Sequence, residues 1–272
     1  MVTGPELTSP RAPRVKAAQR LAKRAFRARD RRFLAEGPQA VREATLRPGT
    51  VLELFATADA ADRHPEILAA AEAGGAAVHH VNAAVMAALT QTVTPQGLVA
   101  VCALLDVPLA DLLGTGPRLL AVLAHARDPG NAGTVVRAAD AAGAGGVLLT
   151  GDSVDPYNGK CVRASAGSIF HLPMTVDVEV EATLHALRAA GLRVLAADGN
   201  GTDDLDQASD DGRLDGPTAW VFGNEAWGLP AATQSLADDV LRVPIHGRAE
   251  SLNLATAAAV CLYASARAQR RA

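Results

Sequence analysis

Aromatic residues, cysteines and long apolar runs are all scarce in this chain of 272 residues, and each shortage excludes something. Phe, Trp and Tyr make up only 3% of it, so the core must be built mainly from Ala, Val and Leu. Cys102, Cys161 and Cys261 lie far apart without a C-x-x-C pair, which favours buried small side chains over a disulfide framework or a zinc site. No uncharged apolar run reaches about 18 residues, so no membrane span is expected.

Targeting signals are also missing from the beginning of the sequence. The first ten residues, MVTGPELTSP, hold no apolar stretch that could serve as a signal peptide. Nearly half of the chain (49%) is apolar and a fifth (20%) is charged, which is usual for a soluble globular protein. We therefore expect a cytoplasmic protein that is long enough for one large or two medium domains.

Charge is distributed unevenly, although the net charge of −3 is small. Residues 1–32 contain ten Lys or Arg side chains against Glu6 and Asp30, which gives a local charge of +8. The other 240 residues carry 16 basic and 27 acidic side chains, which gives −11. A basic segment on an acidic body indicates an anionic partner that binds at one place.

This basic segment is predicted to be a helix over residues 14–35. Apolar residues recur in it at spacings of three and four, and basic residues fill the other positions. Because like charges on one helix repel each other, we favour a phosphate-binding face over a solvated surface. The alternative is a structural helix that packs through Val15, Leu21 and Phe26. The side chains predicted to contact phosphates are Arg14, Lys16, Arg20, Lys23, Arg24 and Arg27.

Short apolar and amphipathic segments alternate beyond the basic segment, which predicts a small α/β unit. The expected strands are 51–57, 76–81 and 97–105, and the expected helices are 62–74 and 82–89. Two prolines and two glycines interrupt the pattern within 107–118, so the domain boundary is placed there. The predicted domains are residues 1–110 and residues 118–272.

The second domain alternates more strongly, and its strands are apolar throughout. Such strands, when helices separate them, indicate a parallel sheet that is buried on both faces. The expected strands are 118–124, 145–151, 168–174, 192–198, 218–223 and 239–244. The expected helices are 131–142, 155–165, 179–190, 230–237 and 251–268. The polar stretch 198–216 is predicted to be a long loop that is either mobile or functional.

The first candidate site follows the first strand of this domain. A turn leads to Asn131, which is well placed to cap a helix, and the glycines within 143–146 end that helix. These glycines lie between helix and strand, the reverse of their order in a dinucleotide-binding fingerprint. Arg137 lies in the middle of the helix, where a functional role and an exposed Arg beside Asp140 explain it equally well.

Two further segments place polar residues after the end of a buried strand. In 218–230 the strand leads into Glu225, and glycines on both sides of this residue favour a functional role. In 240–268 a loop leads to a helix rich in alanine. Ser251 is well explained as the cap of that helix, whereas Asn253, inside its first turn, is less well explained.

Together these segments resemble the three motifs of the SpoU/TrmH family of ribose 2′-O-methyltransferases. The similar stretches are NAGTVVRAADAAG (131–143), FGNEAWGL (222–229) and VPIHGRAESLNLATAAA (243–259). They occur in the family's order, and the resemblance covers residues 118–270. The N-terminal half resembles, less specifically, the ribosomal-protein-like substrate-binding domain that is often fused to this one. Those stretches are RFLAEGPQAVREA (32–44) and VTPQGLVAV (93–101).

The resemblance implies an α/β fold whose parallel sheet carries a deep C-terminal trefoil knot, preceded by a small α/β substrate-binding domain. It also implies a homodimer with helices packed across the interface, and the last helix, at Ala258 and Ala259, suits a close contact. The implied methyl donor is S-adenosylmethionine, and no metal is implied. The positions implied to bind the donor through backbone groups are Ala197, Gly223, Val243, Ile245 and Leu252. The implied functional polar positions are Asn131, Arg137, Glu225, Ser251 and Asn253.

The implied reaction is methylation of a ribose 2′-hydroxyl in structured RNA, with 23S rRNA favoured, as housekeeping or as antibiotic resistance. The basic N-terminal side chains would then bind RNA. Arg137 is implied to be central, and since arginine is a poor base, we favour a role in holding phosphate and stabilising the developing alkoxide. A non-catalytic RNA-binding or ribosome-assembly protein of this fold, tRNA methylation and base methylation remain alternatives. Ala226 and Trp227 occupy positions that are expected to vary.

Overall fold

Residues 6–271 are described by a computed structural model, in which the chain forms two compact units. The first unit is the chain up to Leu105 together with Tyr157–Phe170. The second unit is Asp106–Pro156 and the chain from His171 onwards. This division differs from the predicted domains because Tyr157–Phe170, from the second half of the sequence, belongs to the N-terminal unit. The chain therefore passes between the units three times.

The first unit contains a mixed sheet of four strands. Its strands are β1 (Arg32–Glu36), β2 (Val51–Ala56), β3 (Ala77–His80) and β4 (Leu98–Ala103). Their order is β1-β4-β2-β3, in which β4 pairs antiparallel with β1 and β2, and β2 pairs parallel with β3. The helices before residue 105 are α1 (Pro13–Arg20), α2 (Arg24–Asp30), α3 (Pro38–Thr45), α4 (Ala58–Arg63), α5 (Pro65–Ala73) and α6 (Ala83–Leu89).

The second unit contains a seven-stranded sheet. Its strands are β5 (Leu119–Ala124), β6 (Gly146–Thr150), β7 (Met174–Val178), β8 (Arg193–Ala197), β9 (Asp203–Asp204), β10 (Thr218–Phe222) and β11 (Asp239–Arg242). Their order is β7-β6-β5-β10-β8-β11-β9, and every described pair is parallel. The predicted α/β class with a parallel sheet is therefore confirmed, whereas the knot stays a prediction.

Helices cover this sheet and bury its apolar strands, as a parallel sheet requires. The remaining helices, of which α9 belongs to the first unit, are α7 (Leu109–Gly114), α8 (Pro129–Ala142), α9 (Gly159–Ala164), α10 (Val180–Ala189), α11 (Leu205–Asp210), α12 (Ala231–Gln234) and α13 (Leu254–Gln269). One core cluster combines Leu120, Val122, Leu148, Val194 and Val221, all buried, with side chains of α10. The buried residues of this cluster are Leu, Val and Ala, as the scarcity of aromatics predicts.

The basic segment is not the single helix predicted over 14–35. α1 ends at Arg20, α2 begins at Arg24, and Arg31, with a φ of 53°, ends α2 before β1 starts. The structural alternative is confirmed for Val15 and Leu21, which are buried in the core of the first unit. It is not confirmed for Phe26, which is half-buried beneath the guanidinium groups of Arg20 and Arg29. The segment therefore packs through apolar side chains and exposes basic ones.

Arg27 is the exception among the basic side chains, because it is buried. Its Nη1 donates hydrogen bonds of 2.8 Å to the carbonyl oxygens of Leu21 and Ala22, at the break between α1 and α2. Carbonyl oxygens at a helix end lack donors within the helix, and the Arg27 guanidinium donates the missing hydrogen bonds. The prediction that Arg27 contacts phosphate is therefore wrong, since its donors are used inside the unit.

Three other predicted elements differ from the structure. The strand expected at 168–174 is a short 3-10 turn, Ser168–Phe170, followed by β7. The stretch 198–216 is not one loop, because Asp204 caps α11 by accepting a 2.9 Å hydrogen bond from the Gln207 N–H. The helix expected at 62–74 is divided at His64, since the residue before a proline disfavours helical backbone.

Two predicted helix caps move by a few residues. α8 is capped by Asp128, whose side chain accepts a 2.8 Å hydrogen bond from the Asn131 N–H, so Asn131 lies inside the first turn. α13 is capped by Asn253, not by Ser251, through hydrogen bonds of 2.9 and 3.4 Å from the N–H groups of Ala255 and Thr256. Because asparagine is a favourable residue at the N-cap, this position explains Asn253, which the sequence alone left less well explained.

Within residues 6–271, no helix is long and apolar enough to cross a membrane. The three cysteines are buried free thiols, so the interpretation as buried small side chains is confirmed. In the same part of the chain, no three His, Cys, Asp or Glu side chains form a group that could hold a metal ion.

Candidate active site

A cavity of about 710 Å³ opens in the second unit where β8, β10 and β11 end, and we name it the main cavity. The carboxyl edge of a parallel sheet is where α/β folds place their ligands. The five positions implied to bind the methyl donor all line it: Ala197, Gly223, Val243, Ile245 and Leu252. They lie at strand ends or in loops, where peptide groups can bind a ligand.

Both apolar and acidic side chains form the wall of the main cavity. Phe222, Leu241 and Leu254 give it apolar surface, while Asp198 and Glu250 bring carboxylates. The Asp198 carboxylate is oriented by hydrogen bonds of 2.9 Å from the Asn200 N–H and 3.2 Å from Gln234 Nε2. This wall can accept a flat apolar group and hydrogen-bond donors at the same time.

A tight loop after β10 forms one side of the main cavity. Asn224 and Gly228 exchange two backbone hydrogen bonds, of 2.8 and 2.9 Å, which closes residues 224–228 into a compact turn. Gly228 has a φ of 71°, a conformation that side chains disfavour. A Cβ on Gly223 would lie 2.4 Å from the carbonyl group of Gly228, so only glycine fits where the loop closes.

Gly223→Ala should therefore displace the loop and weaken binding of S-adenosylmethionine by about tenfold or more, because a methyl group cannot fit against backbone without a shift. Isothermal titration calorimetry measures this affinity. Gly216→Ala is the matched control, since a Cβ there meets no atom within 4 Å. Equal affinities of the two variants would contradict the assignment of this loop to the donor site.

A chain of hydrogen bonds joins the three motif segments beside the main cavity. Asn253 Nδ2 donates to Asn131 Oδ1 at 3.0 Å, and Asn131 Nδ2 donates to Glu225 Oε1 at 3.2 Å. The Glu225 carboxylate also accepts hydrogen bonds of 3.2 Å from the N–H groups of Arg127 and Asp128. Residues more than 90 positions apart in sequence are thus fixed against one another.

The environment of Glu225 keeps its side chain ionised. Burial raises the pKa of this carboxyl, but N–H donors, including its own and those of Arg127, Asn131 and Asp128, outweigh burial, so its pKa lies below the usual value. An ionised carboxylate can only accept hydrogen bonds. Glu225 is therefore suited to hold the loops of the site and not to donate a proton at neutral pH.

A second, open hollow of about 590 Å³, which we name the outer cleft, adjoins this chain of hydrogen bonds. It is lined by Arg127, Asp128, Asn131, Asn224, Glu225, Ala226 and Trp227. Residues 224–227 line both the outer cleft and the main cavity. The loop after β10 therefore separates two neighbouring spaces, which suits a site for two reactants.

The predicted polar residues are not all brought together. Ser251 lines the main cavity, and Asn131 and Glu225 line the outer cleft. Arg137 is exposed on α8 and is not among the residues that line either space. Within the described part of the chain, residues 6–271, the side chain of Arg137 makes no hydrogen bond or ion pair.

Sequence reasoning missed Asn224 as a functional residue. Its side chain is buried, its Nδ2 donates a 2.9 Å hydrogen bond to the His125 carbonyl oxygen, and its Oδ1 accepts one from the Ala226 N–H. Asn224 thus ties the loop after β10 to the loop after β5. The position of Asn224 between Gly223 and Glu225 could have indicated this role, since an Asn side chain in a turn often forms a hydrogen bond with the backbone two residues further along the chain.

The profile described as the SpoU rRNA Methylase family matches residues 118–263, and the profile described as the MRM3-like substrate binding domain matches residues 12–100. The chain is 33% identical over 261 residues to a Bacillus subtilis protein named 23S rRNA (guanosine(2553)-2′-O)-methyltransferase RlmP, covering 95% of this chain and 98% of that one.

Solved structures agree with these matches. An AdoMet-bound rRNA methyltransferase from Sinorhizobium meliloti superposes with a TM-score of 0.84 at 33% identity, over 97% of each chain. The SpoU methyltransferase AviRb from Streptomyces viridochromogenes, in complex with AdoMet, superposes with a TM-score of 0.81 at 28% identity, over 96% of this chain and all of that one. Fold and cavity thus define an α/β enzyme of the methylase class. More specifically, the chain belongs to the SpoU rRNA Methylase family.

Proposed function

We propose that this protein transfers a methyl group from S-adenosylmethionine to a ribose 2′-hydroxyl of 23S rRNA. One observation carries the proposal: the hydrogen bonds from Asn253 through Asn131 to Glu225 join all three motifs beside a cavity that is large enough for the donor. In this proposal residues 118–272 perform methyl transfer and residues 1–110 bind RNA, in the cytoplasm.

The main cavity fits S-adenosylmethionine in size and chemistry. Its volume of about 710 Å³ lies within the range of roughly 300–1,000 Å³ that is usual for small-molecule sites. Its apolar side chains suit an adenine ring, and the carboxylates of Asp198 and Glu250 suit hydroxyl or ammonium groups. The backbones of Ala197, Gly223, Val243, Ile245 and Leu252 would complete the binding.

When bound, S-adenosylmethionine supplies a methyl group on a positively charged sulfonium. The residues of the chain must then orient the acceptor ribose and stabilise negative charge as its 2′-hydroxyl loses a proton. We assign the second task to Arg137, whose guanidinium can hold a phosphate with two hydrogen bonds and stabilise an alkoxide. Asn131, Glu225 and Asn253 position the acceptor, because each is fixed by the others.

Relatives named as 23S rRNA 2′-O-methyltransferases support the choice of RNA and of the ribose hydroxyl. A non-catalytic RNA-binding or ribosome-assembly role is not favoured, because the polar residues of all three motifs are present. To test the proposal, the protein is incubated with labelled S-adenosylmethionine and either a 23S rRNA transcript or bulk tRNA. Ribose 2′-O-methylation of the transcript is expected, whereas labelled tRNA or a methylated base would refute the substrate or the reaction.

The basic N-terminal segment is proposed to bind RNA through its exposed side chains. Lys16, Arg20, Lys23 and Arg24 are exposed on or beside α1 and α2. Arg14 is also exposed, but it approaches the carboxylate of Glu53 at 3.5 Å, which reduces its attraction for phosphate. We therefore expect Arg14 to contribute less to the RNA affinity of this segment than Lys16, Arg20 and Lys23.

Changing Arg20, Lys23 and Arg24 together to Gln should weaken binding of the 23S rRNA transcript and make its salt dependence shallower by about two to three units of log–log slope. Turnover at saturating RNA should stay near wild type, because uniform binding affects KM and not kcat. Filter binding at several salt concentrations measures the slope. The control changes Arg47 and Arg63, exposed in the same unit, to Gln. An unaltered slope in the triple variant would contradict RNA binding here.

We also propose that the protein is a homodimer that uses the outer faces of α8 and α13. These helices pack on each other, and the Tyr263 hydroxyl donates a 3.3 Å hydrogen bond to the Ala141 carbonyl oxygen. Val260 and Tyr263 are large and apolar, yet 40% and 53% exposed, and Arg137 lies on the neighbouring helix. An apolar patch of this kind is typical of a protein interface.

A further inference from the structure

The chain contains two tryptophans in very different surroundings. Trp220 is fully buried in β10, and its Nε1–H donates a 2.8 Å hydrogen bond to Ser265 Oγ. Trp227 lies in the loop after β10 and is 54% exposed. It lines both the main cavity and the outer cleft, so its exposed surface belongs to the candidate active site.

The Trp227 indole is held in place from behind. The ring of His125 lies 5.6 Å from it, at a tilted angle of 46°. His125 has a φ of 60°, a strained backbone conformation for a residue other than glycine, and strain of this kind is concentrated at functional sites. Its carbonyl oxygen is fixed by the hydrogen bond from Asn224 Nδ2. The aromatic surface is therefore arranged in advance on two loops that are tied together.

The outer cleft offers Trp227 a particular combination of neighbours. Asn131 and Glu225, which we assign to positioning the acceptor, also line it, and so does Arg127, whose side chain is exposed and lies 3.8 Å from Asp152. An aromatic face with polar groups and an arginine nearby suits an unpaired nucleotide, whose base stacks while its ribose and phosphate meet the polar groups.

We propose that Trp227 stacks on the base of the acceptor nucleotide in the outer cleft and thereby positions its ribose at the boundary with the main cavity. This inference rests on the proposed function and deepens it, because it assigns the outer cleft to the acceptor. Stacking accepts any base, so the indole fixes the position of the nucleotide and not its identity. Trp227 is thus a positioning residue for methyl transfer.

The test compares Trp227→Phe, Trp227→Leu and Trp227→Ala with the wild type on the 23S rRNA transcript. Phe keeps an aromatic face, whereas Leu keeps apolar volume without one. We expect Phe to retain most of kcat/KM, while Leu and Ala each lose about tenfold or more. The affinity for S-adenosylmethionine, measured by calorimetry, should fall by no more than a few-fold in any variant, since Trp227 also lines the main cavity, and it should not follow the order of the kcat/KM values.

Each other outcome overturns the inference. Equal activity of the Leu and Phe variants would show an apolar contact without stacking. A parallel loss of donor affinity would place the indole in the donor site, and a monomeric Ala variant in sedimentation would place it in a subunit interface. If the wild type does not methylate ribose, the proposed function fails. Stacking is then judged by filter binding of the transcript, and equal affinity of the Leu and Phe variants would overturn it as well.

Discussion

Replacing Arg137 by alanine should reduce methyl transfer to the 23S rRNA transcript by at least about 100-fold, because one preorganised donor to a developing oxyanion is commonly worth that much. The affinity for S-adenosylmethionine should change only a few-fold, since Arg137 does not line the main cavity. Single-turnover methylation and calorimetry measure the two quantities. Wild-type turnover in the variant would refute the role of Arg137.

Arg137→Lys is the matched variant for this prediction. Lysine keeps the positive charge but cannot form the paired hydrogen bonds of a planar guanidinium. We expect it to recover only a small part of the lost rate. Because the Arg137 side chain is exposed in its own chain, each variant should keep the fold, and its thermal unfolding midpoint should stay within a few degrees of the wild type. A lowered midpoint would mean that the arginine is structural and would contradict the assignment.

Val260→Arg should convert the protein to monomers with activity as low as that of Arg137→Ala. A charged side chain in the middle of an apolar contact is left without a partner, and the interface then separates. Sedimentation velocity measures the change of state. The donor should still bind to the monomer, because the five positions that we assign to donor binding belong to one chain.

The control for this variant is Leu46→Arg, since Leu46 is also a large exposed side chain, at 71%, but lies in the first unit. It should remain dimeric and active. Ala258, which the sequence suggested as an interface position, is unsuitable because it is fully buried within its own chain. Arginine there would disrupt the core. A dimeric Val260→Arg protein would place the interface elsewhere.

Mixing Arg137→Ala with Gly223→Ala, at a donor concentration too low to fill the main cavity of the second variant, tests whether Arg137 acts on the site of its partner. Arg137→Ala keeps an intact main cavity, and Gly223→Ala keeps an intact Arg137. If the arginine acts across the interface, random exchange of subunits restores about a quarter of the wild-type activity. If it acts within its own chain, the mixture stays inactive.

The sequence predicted the residues of the main cavity better than it predicted those of the outer cleft and the basic segment. The family resemblance implied Ala197, Gly223, Val243 and Leu252, and all four line the main cavity. The first three come together because each lies at or just after the end of a parallel strand of one sheet. Their binding to the donor stays a prediction. Asn131 and Asn253 were chosen by resemblance, and the hydrogen bond between them gives the physical reason.

The errors share a cause, which is that local patterns do not show tertiary partners. Arg27 looked like its basic neighbours, but the break between α1 and α2 gives it two carbonyl groups to bind. The role that we propose for Trp227 could not be predicted from the sequence either, because only the fold shows that its loop divides two spaces. Residues 157–170 carry no composition that distinguishes them from the domain around them in sequence.

That last stretch affects the order in which the protein can be made. Within the first unit, Phe33 lies 4.8 Å from the ring of Tyr157 and 5.9 Å from that of Phe170, and Arg163 pairs with Glu36 at 3.2 Å. A ribosome delivers these later residues only after β5, β6 and α8 have been synthesised. The N-terminal unit therefore cannot complete its core during translation until residue 170 has emerged. A chimaera that exchanges this unit between relatives must exchange Tyr157–Phe170 with it.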